Sequence, residues 1–182
     1  MLSLPLTDDA ELRALEPWRA QEFAAHVASA QEHLMEWLPW GTSAASEEGA
    51  VQLLQRYADA QARGEGRIFG IWVGGKLAGG VLFRVWEQAT GVCELGVWLA
   101  PEAVGRGLVT RASRAMIEWA FAERGMHRVE WRCATGNVRS SAVARRLGMT
   151  REGVLREATP LNGVRHDVEL WALLASEWPA ER

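Results

Sequence analysis

The chain has 182 residues, 48% of them apolar and 24% charged, which suits one globular domain and argues against a disordered chain. A formal net charge of −3 supplies no basic surface for nonspecific nucleic-acid binding. The start, Met1-Leu2-Ser3-Leu4-Pro5, lacks the basic segment and apolar run of a secretion signal, and no uncharged apolar stretch approaches the roughly 20 residues that cross a bilayer.

These features predict a single domain over residues 1–182, cytoplasmic, with neither a membrane nor a nucleic acid as partner. No fixed-period repeat or low-complexity tract is present. Lys76 is the only lysine among the basic residues; so arginine-rich a chain suits planar anion recognition, though base composition produces the same bias. Cys93 and Cys133 lie in apolar runs and read as two buried strand cysteines. With no histidine cluster beside them, neither a disulfide nor a metal site is expected.

Taken in order, Glu11 to Leu15 alternates polar and apolar residues and predicts a short strand. Pro17 fits the first position of a helix reaching about Ala30, and a shorter helical piece, His33 to Leu38, stops at Pro39. Ser46, with Glu48 and Gly49 after it, opens a helix that places Val51, Leu54 and Ala58 on one face and ends at Gly64. Arg67–Val73 and Lys76–Trp86 are strands joined by Gly74-Gly75, a strong hairpin signal.

Gly91 precedes the strand Val92–Leu99, and Pro101 to Gly105 is a loop. Leu108, Ala112, Ala115, Trp119 and Ala122 recur at helical spacing up to Gly125. His127–Ala134 is the next strand. Asn137 caps a helix ending at Leu147-Gly148, with Arg145 and Arg146 at the negative end of its dipole. Strands over about Thr150–Glu157 and Arg165–Leu173 flank the turn Leu161-Asn162-Gly163. Hairpins first, then one strand–helix–strand crossover, predict a mixed α/β fold and not a doubly wound sheet.

Val97 to Leu108 is the most informative stretch: a strand, a short loop, and two glycines, Gly105 and Gly107, where a helix opens. The first turn of a helix has unpaired N–H groups and a partial positive charge, and glycines allow a ligand to approach that backbone closely. Helix starts normally attract Asp or Glu, yet Gly105 to Ser113 has none and carries Arg106 and Arg111. A pyrophosphate from outside fits that vacancy; a plain flexible turn is the competing reading. No Gly-Lys-Ser/Thr follows, so this is not a Walker loop, and the dinucleotide fingerprint fails for want of a third glycine.

Val104-Gly105-Arg106-Gly107-Leu108-Val109 resembles the Gln/Arg-x-x-Gly-x-Gly/Ala loop with which the GNAT acetyltransferase superfamily grips acetyl-CoA. Val104 stands where Gln or Arg is usual, and Val109 where a small residue is usual. Asn137-Val138-Arg139-Ser140 and Ala142-Val143-Ala144-Arg145-Arg146-Leu147-Gly148-Met149 are similar to the later helix of that superfamily. With Glu94-Leu95-Gly96-Val97-Trp98-Leu99, Leu161-Asn162-Gly163 and His166-Asp167-Val168, the chain looks closest to the ribosomal-protein acetyltransferase branch, the RimL-like group.

The resemblance implies a twisted mixed sheet flanked by helices, with a V-shaped splay between the Gly91–Leu99 and His127–Ala134 strands that receives the pantetheine. Acetyl-CoA as cosubstrate would then meet Val97, Leu99, Gly105, Arg106, Gly107, Leu108, Val109, Thr110 and Asn137. The implied acceptor is a primary amine, of a protein N-terminus or a small molecule such as an antibiotic or aminoacyl-nucleotide, acetylated by direct attack in a ternary complex. A homodimer follows from the same branch. An acyl-CoA-binding module without catalysis is the alternative of another class.

Amine acetylation needs a neutral amine, stabilisation of the developing oxyanion and a proton for the departing thiolate. Glu94 is the only acid within the strand Val92–Leu99 and is the candidate base, since burial there would raise its pKa; a solvated strand-start Glu is the competing reading. Backbone N–H groups near Val97 are candidates for holding the oxyanion. The tyrosine that many superfamily members use as acid is replaced by Ala144, and Tyr57, the only tyrosine, belongs to another helix. Ser140 is the candidate substitute, with Ser141 second, against a role in bonding the helix start. Trp37 and Trp40, flanking Pro39, and His166 are candidates for the acceptor pocket, with core packing as the alternative for the two tryptophans.

Overall fold

Leu4 and Leu6 alternate with Ser3, Pro5 and Thr7 in a first strand, β1 (Ser3–Thr7), paired antiparallel with β2 (Ala10–Ala14). β1 lies outside the predicted elements, which begin at Glu11, and it carries a proline, Pro5. It forms the edge of the sheet, where a residue without an N–H is tolerated. The computed structural model describes residues 3–179.

After a 3-10 turn at Pro17–Arg19 come α1 (Ala20–Ser29), α2 (Gln31–Met35) and a single turn, α3 (Gly41–Ala44), that carries no sequence signal of its own. Ser46 caps α4 (Glu47–Ala62), its hydroxyl accepting the Gly49 N–H at 3.1 Å. β3 (Ile68–Val73) and β4 (Lys76–Glu87) form the expected hairpin through Gly74 and Gly75 at φ 55° and 77°, the left-handed pair that a tight hairpin turn requires.

β5 (Val92–Leu99) matches its predicted bounds. α5 (Leu108–Glu118) continues as a π-helical turn over Trp119–Glu123. Then follow β6 (Arg128–Ala134), α6 (Val138–Arg146), β7 (Thr150–Leu161) and β8 (Val164–Leu174). β7 runs past its predicted end at Glu157, across an irregularity between Leu155 and Thr159 where Glu157 adopts φ 49°.

The eight strands make one mixed sheet in the order β1-β2-β3-β4-β5-β6-β8-β7. β5 and β6 are parallel, joined through α5 as the sequence predicts, and their ladder runs only from Val92–Arg128 to Leu95–Trp131. From Arg132 onward β6 is paired on its β8 side, Arg132 with Leu170 and Ala134 with Val168.

Packing divides the chain into two compact units: residues up to Leu82 with Val97–Ala112, and Phe83–Gly96 with residues from Ser113 onward. In the first, Phe23, Val27, Leu34, Leu54, Trp72 and Trp98 share a core. In the second, Leu95, Val129, Trp131, Leu147 and Trp171 are buried. Cys93 and Cys133 are free and buried in β5 and β6, and burial pushes the Cys93 thiol up to about 12, which suits an inert core residue. Among the described residues no helix is long and apolar enough to cross a membrane.

Gly80 shows how tightly the first unit is packed. A Cβ there would lie 2.0 Å from the Trp98 ring and 2.4 Å from the Phe69 carbonyl oxygen. Gly80→Ala is therefore expected to destabilise by about 1–3 kcal/mol through overpacking, read as a lower urea midpoint at unchanged slope.

Candidate active site

In the first unit, β5 ends with Val97 and Leu99 half-buried on either side of buried Trp98. The Trp98 indole N–H donates to His26 Nε2 at 3.2 Å, and burial pushes the His26 pKa down. Ala100 N–H donates to the Ala78 carbonyl at 2.8 Å, fixing the exit of the strand. A 3-10 turn at Pro101–Ala103 occupies the predicted loop and leads to the two glycines. Gly105 and Gly107 adopt φ 87° and 73°, a region that favours glycine. A Cβ on either would meet nothing within 4 Å.

Space is therefore open over this backbone, and conformation, not crowding, demands the glycines. Arg111 N–H donates to the Gly107 carbonyl at 3.1 Å, so the helical bonds start there. The amides of the first turn have no acceptor within their own helix. No acid stands in that turn, which leaves the positive end of the dipole to an external anion. Leu108 is buried, and Val109 and Thr110 are half-buried. Arg106 donates to Asp9 in the β1–β2 turn at 2.6 Å. The Thr7 hydroxyl and then Arg106 hold the Asp9 carboxyl below its usual range.

In the second unit, Glu94 is only 5% exposed, so the solvated alternative does not describe it. Arg84 Nη1 lies 3.0 Å from Oε1, and Arg132 Nε lies 3.6 Å from Oε2. The Arg84 contact is an ion pair off the hydrogen-bonding direction: Oε1 is buried without a hydrogen-bond donor among the described residues. Burial raises the Glu94 pKa against the opposing pull of Arg84 and Arg132. Arg132 also donates to Glu130 at 3.0 Å, and Arg128 joins Glu130 to Glu152.

Sequence reasoning singled out Glu94 without its charged neighbours. The period-two series Arg128, Glu130, Arg132 marks one charged face of β6, because alternate strand residues share a face; Arg84, on β4, has no such signal.

Asn137 caps α6 as expected, its Oδ1 accepting the Ser140 N–H at 3.1 Å. Ser140 Oγ accepts the Trp131 indole N–H at 2.9 Å. Ser141 donates to buried Glu169 at 2.7 Å, and Glu169 also accepts from Trp171 at 2.9 Å and Arg151 at 3.0 Å. These bonds moor the first turn of α6 to β6 and β8. Trp131 pairs with Leu95 while Glu94 pairs with Glu130. Glu94 and Ser140 thus stand on opposite faces of the strands, and neither can pass a proton directly to the other.

His166 is half-buried on β8, opposite Thr159. Its neighbour Asp167 accepts the Glu157 N–H at 2.8 Å, and Arg165 donates to the Glu157 carbonyl at 2.9 Å, which gives Asp167 a structural bond. Trp40 packs on Phe23 and Trp98 at 6.1 and 5.7 Å, and Trp37 is half-buried. Trp40 thus touches the core of the first unit.

A parallel crossover with an acid-free, glycine-opened helix start, within a mixed sheet, defines an α/β protein equipped to take an anionic ligand such as a phosphate at that helix. Residues 11–150 match the family described as acetyltransferase (GNAT) domain, and the chain belongs to that family. It is 30% identical to YdaF of Bacillus subtilis (strain 168) over 187 residues, covering 100% of both chains. It is 26% identical to the ribosomal-protein-serine acetyltransferase of Escherichia coli (strain K12) over 170 residues, 93% of this chain and 95% of that protein. Its fold resembles RimL, a ribosomal L7/L12 alpha-N-protein acetyltransferase in complex with coenzyme A: the TM-score is 0.89 at 27% identity, over 96% of this chain and 99% of that one. The chain is an N-acetyltransferase.

Proposed function

We propose that the chain, as a single domain of residues 1–182, transfers the acetyl group of acetyl-CoA to a primary amine by direct attack in a ternary complex, with a protein N-terminal α-amine as acceptor. The observation that carries this reading is the open, acid-free helix start at Gly105 and Gly107. The acceptor class is supported by the ribosomal-protein acetyltransferases it resembles. A cytoplasmic location and a homodimer belong to the same reading.

Acetyl-CoA supplies the activated acetyl group. Gly105, Arg106, Gly107, Leu108, Val109 and Thr110 would hold its phosphates, the backbone amides serving as donors. Val97 and Leu99 would present β5 backbone beyond the end of the Leu95–Trp131 ladder, where Val97 N–H can support developing negative charge. Glu94, buried and held above its ordinary pKa, takes the amine proton directly or through water. Ser140, whose Oγ accepts the Trp131 indole N–H and whose hydroxyl also interacts with the Cys133 thiol, would turn its proton to the leaving sulfur. Trp37, Trp40 and His166 would bound the acceptor side.

Release of free thiol from acetyl-CoA, measured over a panel of amines that includes ribosomal-protein N-terminal peptides, tests the proposal. Binding of acetyl-CoA without thiol release on any amine would refute it. Ser140→Ala is expected to lower kcat about tenfold, equal to roughly 1.4 kcal/mol, with little change in KM. Because a thiolate of pKa about 8.5 leaves readily, a larger effect is not required of this residue. An unchanged kcat would assign Ser140 to the helix start alone.

A further inference from the structure

We propose that Arg84 is a displaceable cover over Glu94, so that the enzyme favours amines carrying an anionic group close to the reacting nitrogen. The inference rests on the reading of Glu94 as the base. Glu94 is buried, and Arg84 reaches 3.0 Å from the Oε1 that has no hydrogen-bond donor among the described residues. An incoming amine needs that oxygen and instead meets a cation, which repels an ammonium and shields the carboxylate.

The two arginines flanking Glu94 are held differently. Arg132 sits farther off, at 3.6 Å, and its guanidinium also donates to Glu130 at 3.0 Å. The Arg84 side chain is 59% exposed against 7% for Glu94, so an incoming anion can reach the cation from solvent, while Arg132 stays beside the buried carboxylate when Arg84 turns away. A carboxylate or phosphate near the amine offers Arg84 a planar, hydrogen-bonded partner in place of an off-axis contact. As Arg84 turns toward it, Oε1 is uncovered and the amine is drawn to the same spot. A neutral acceptor has nothing to exchange for Arg84 and finds the base covered. The charged groups facing Glu94 are Arg84 from β4 and Arg132 and Glu130 from β6. Removing Arg84 therefore takes away a cation that lowers the Glu94 pKa.

The test compares matched acceptors. Hexapeptides beginning Ala-Asp or Ala-Asn represent a peptide source of the anion, and O-phosphoethanolamine against ethanolamine a small-molecule source. The native enzyme is expected to favour the anionic member of one pair by about tenfold in kcat/KM, the scale of one charged hydrogen bond. The pair that shows it identifies the source.

Arg84→Gln should erase the preference, speed the neutral acceptor and move the acid limb of its pH profile to higher pH. Arg84→Lys, which keeps the charge without the planar fork, should restore part of the preference. In the Glu94→Gln background the gain for the neutral acceptor should disappear. No turnover of either pair, equal rates within both pairs, or an unchanged preference in Arg84→Gln overturns the cover. Should Glu94→Gln by itself leave every rate intact, the base reading fails; slow Glu94→Gln with an unaltered preference in Arg84→Gln rejects the cover alone.

Discussion

Gly107→Glu is expected to abolish acetyl-CoA binding, weakening it by about a hundredfold or more, some 2.7 kcal/mol. Two effects act together. At φ 73° a side chain strains the backbone, and a carboxylate at the first turn of α5 opposes the phosphates that the dipole attracts. Gly107→Asn separates them, because asparagine tolerates the left-handed region and adds no charge. It should weaken binding far less. Isothermal calorimetry reads both variants against the native protein, with circular dichroism to establish that each is folded. Unchanged affinity in Gly107→Glu would remove the loop from the binding site. The same side chain has room to stand, since a Cβ there meets nothing within 4 Å, so the fold is expected to survive.

Glu94→Gln is expected to lower kcat/KM about a hundredfold or more near neutral pH, within the range of general-base effects. The deficit should shrink toward high pH, where an N-terminal amine of pKa near 8 is already neutral. An equal deficit at every pH would count against a base. Because burial raises the Glu94 pKa, the acid limb of the native profile should lie above the range of an ordinary glutamate. Stability carries the same sign. A carboxyl that holds its proton more tightly when folded contributes stability at low pH and loses it as pH rises through the folded pKa. Thermal melts of Glu94→Gln should therefore gain on the native protein as pH rises through that point.

Much of the fold was legible locally. Gly74-Gly75 specified a hairpin because only that turn suits two left-handed residues, and Asn137 announced α6 because its side chain replaces a missing acceptor for the helix start. β1 was not legible, since Pro5 reads as a break unless the strand is known to be an edge. The single turn α3 was missed because four residues carry no periodicity. The π-helical turn at Trp119–Glu123 was hidden too: its tryptophan continues the helical spacing while the backbone widens, and Trp119 packs on Phe83 and Trp86 at 5.8 and 5.4 Å.

By itself the sequence determined the glycine-opened helix start, the strand that carries Glu94 and the cap that carries Ser140, because each depends on the chemistry of a few adjacent residues. Only the tertiary structure decided what surrounds them. Arg84 comes from β4, the strand before that of Glu94, and Glu130 and Arg132 from β6, beyond α5, and the facing of Glu94 and Ser140 follows from register across β5 and β6. Spacing along a chain sets which residues can share a strand face. Which side chains meet across strands, and so what charge a buried carboxylate feels, depends on how the sheet assembles.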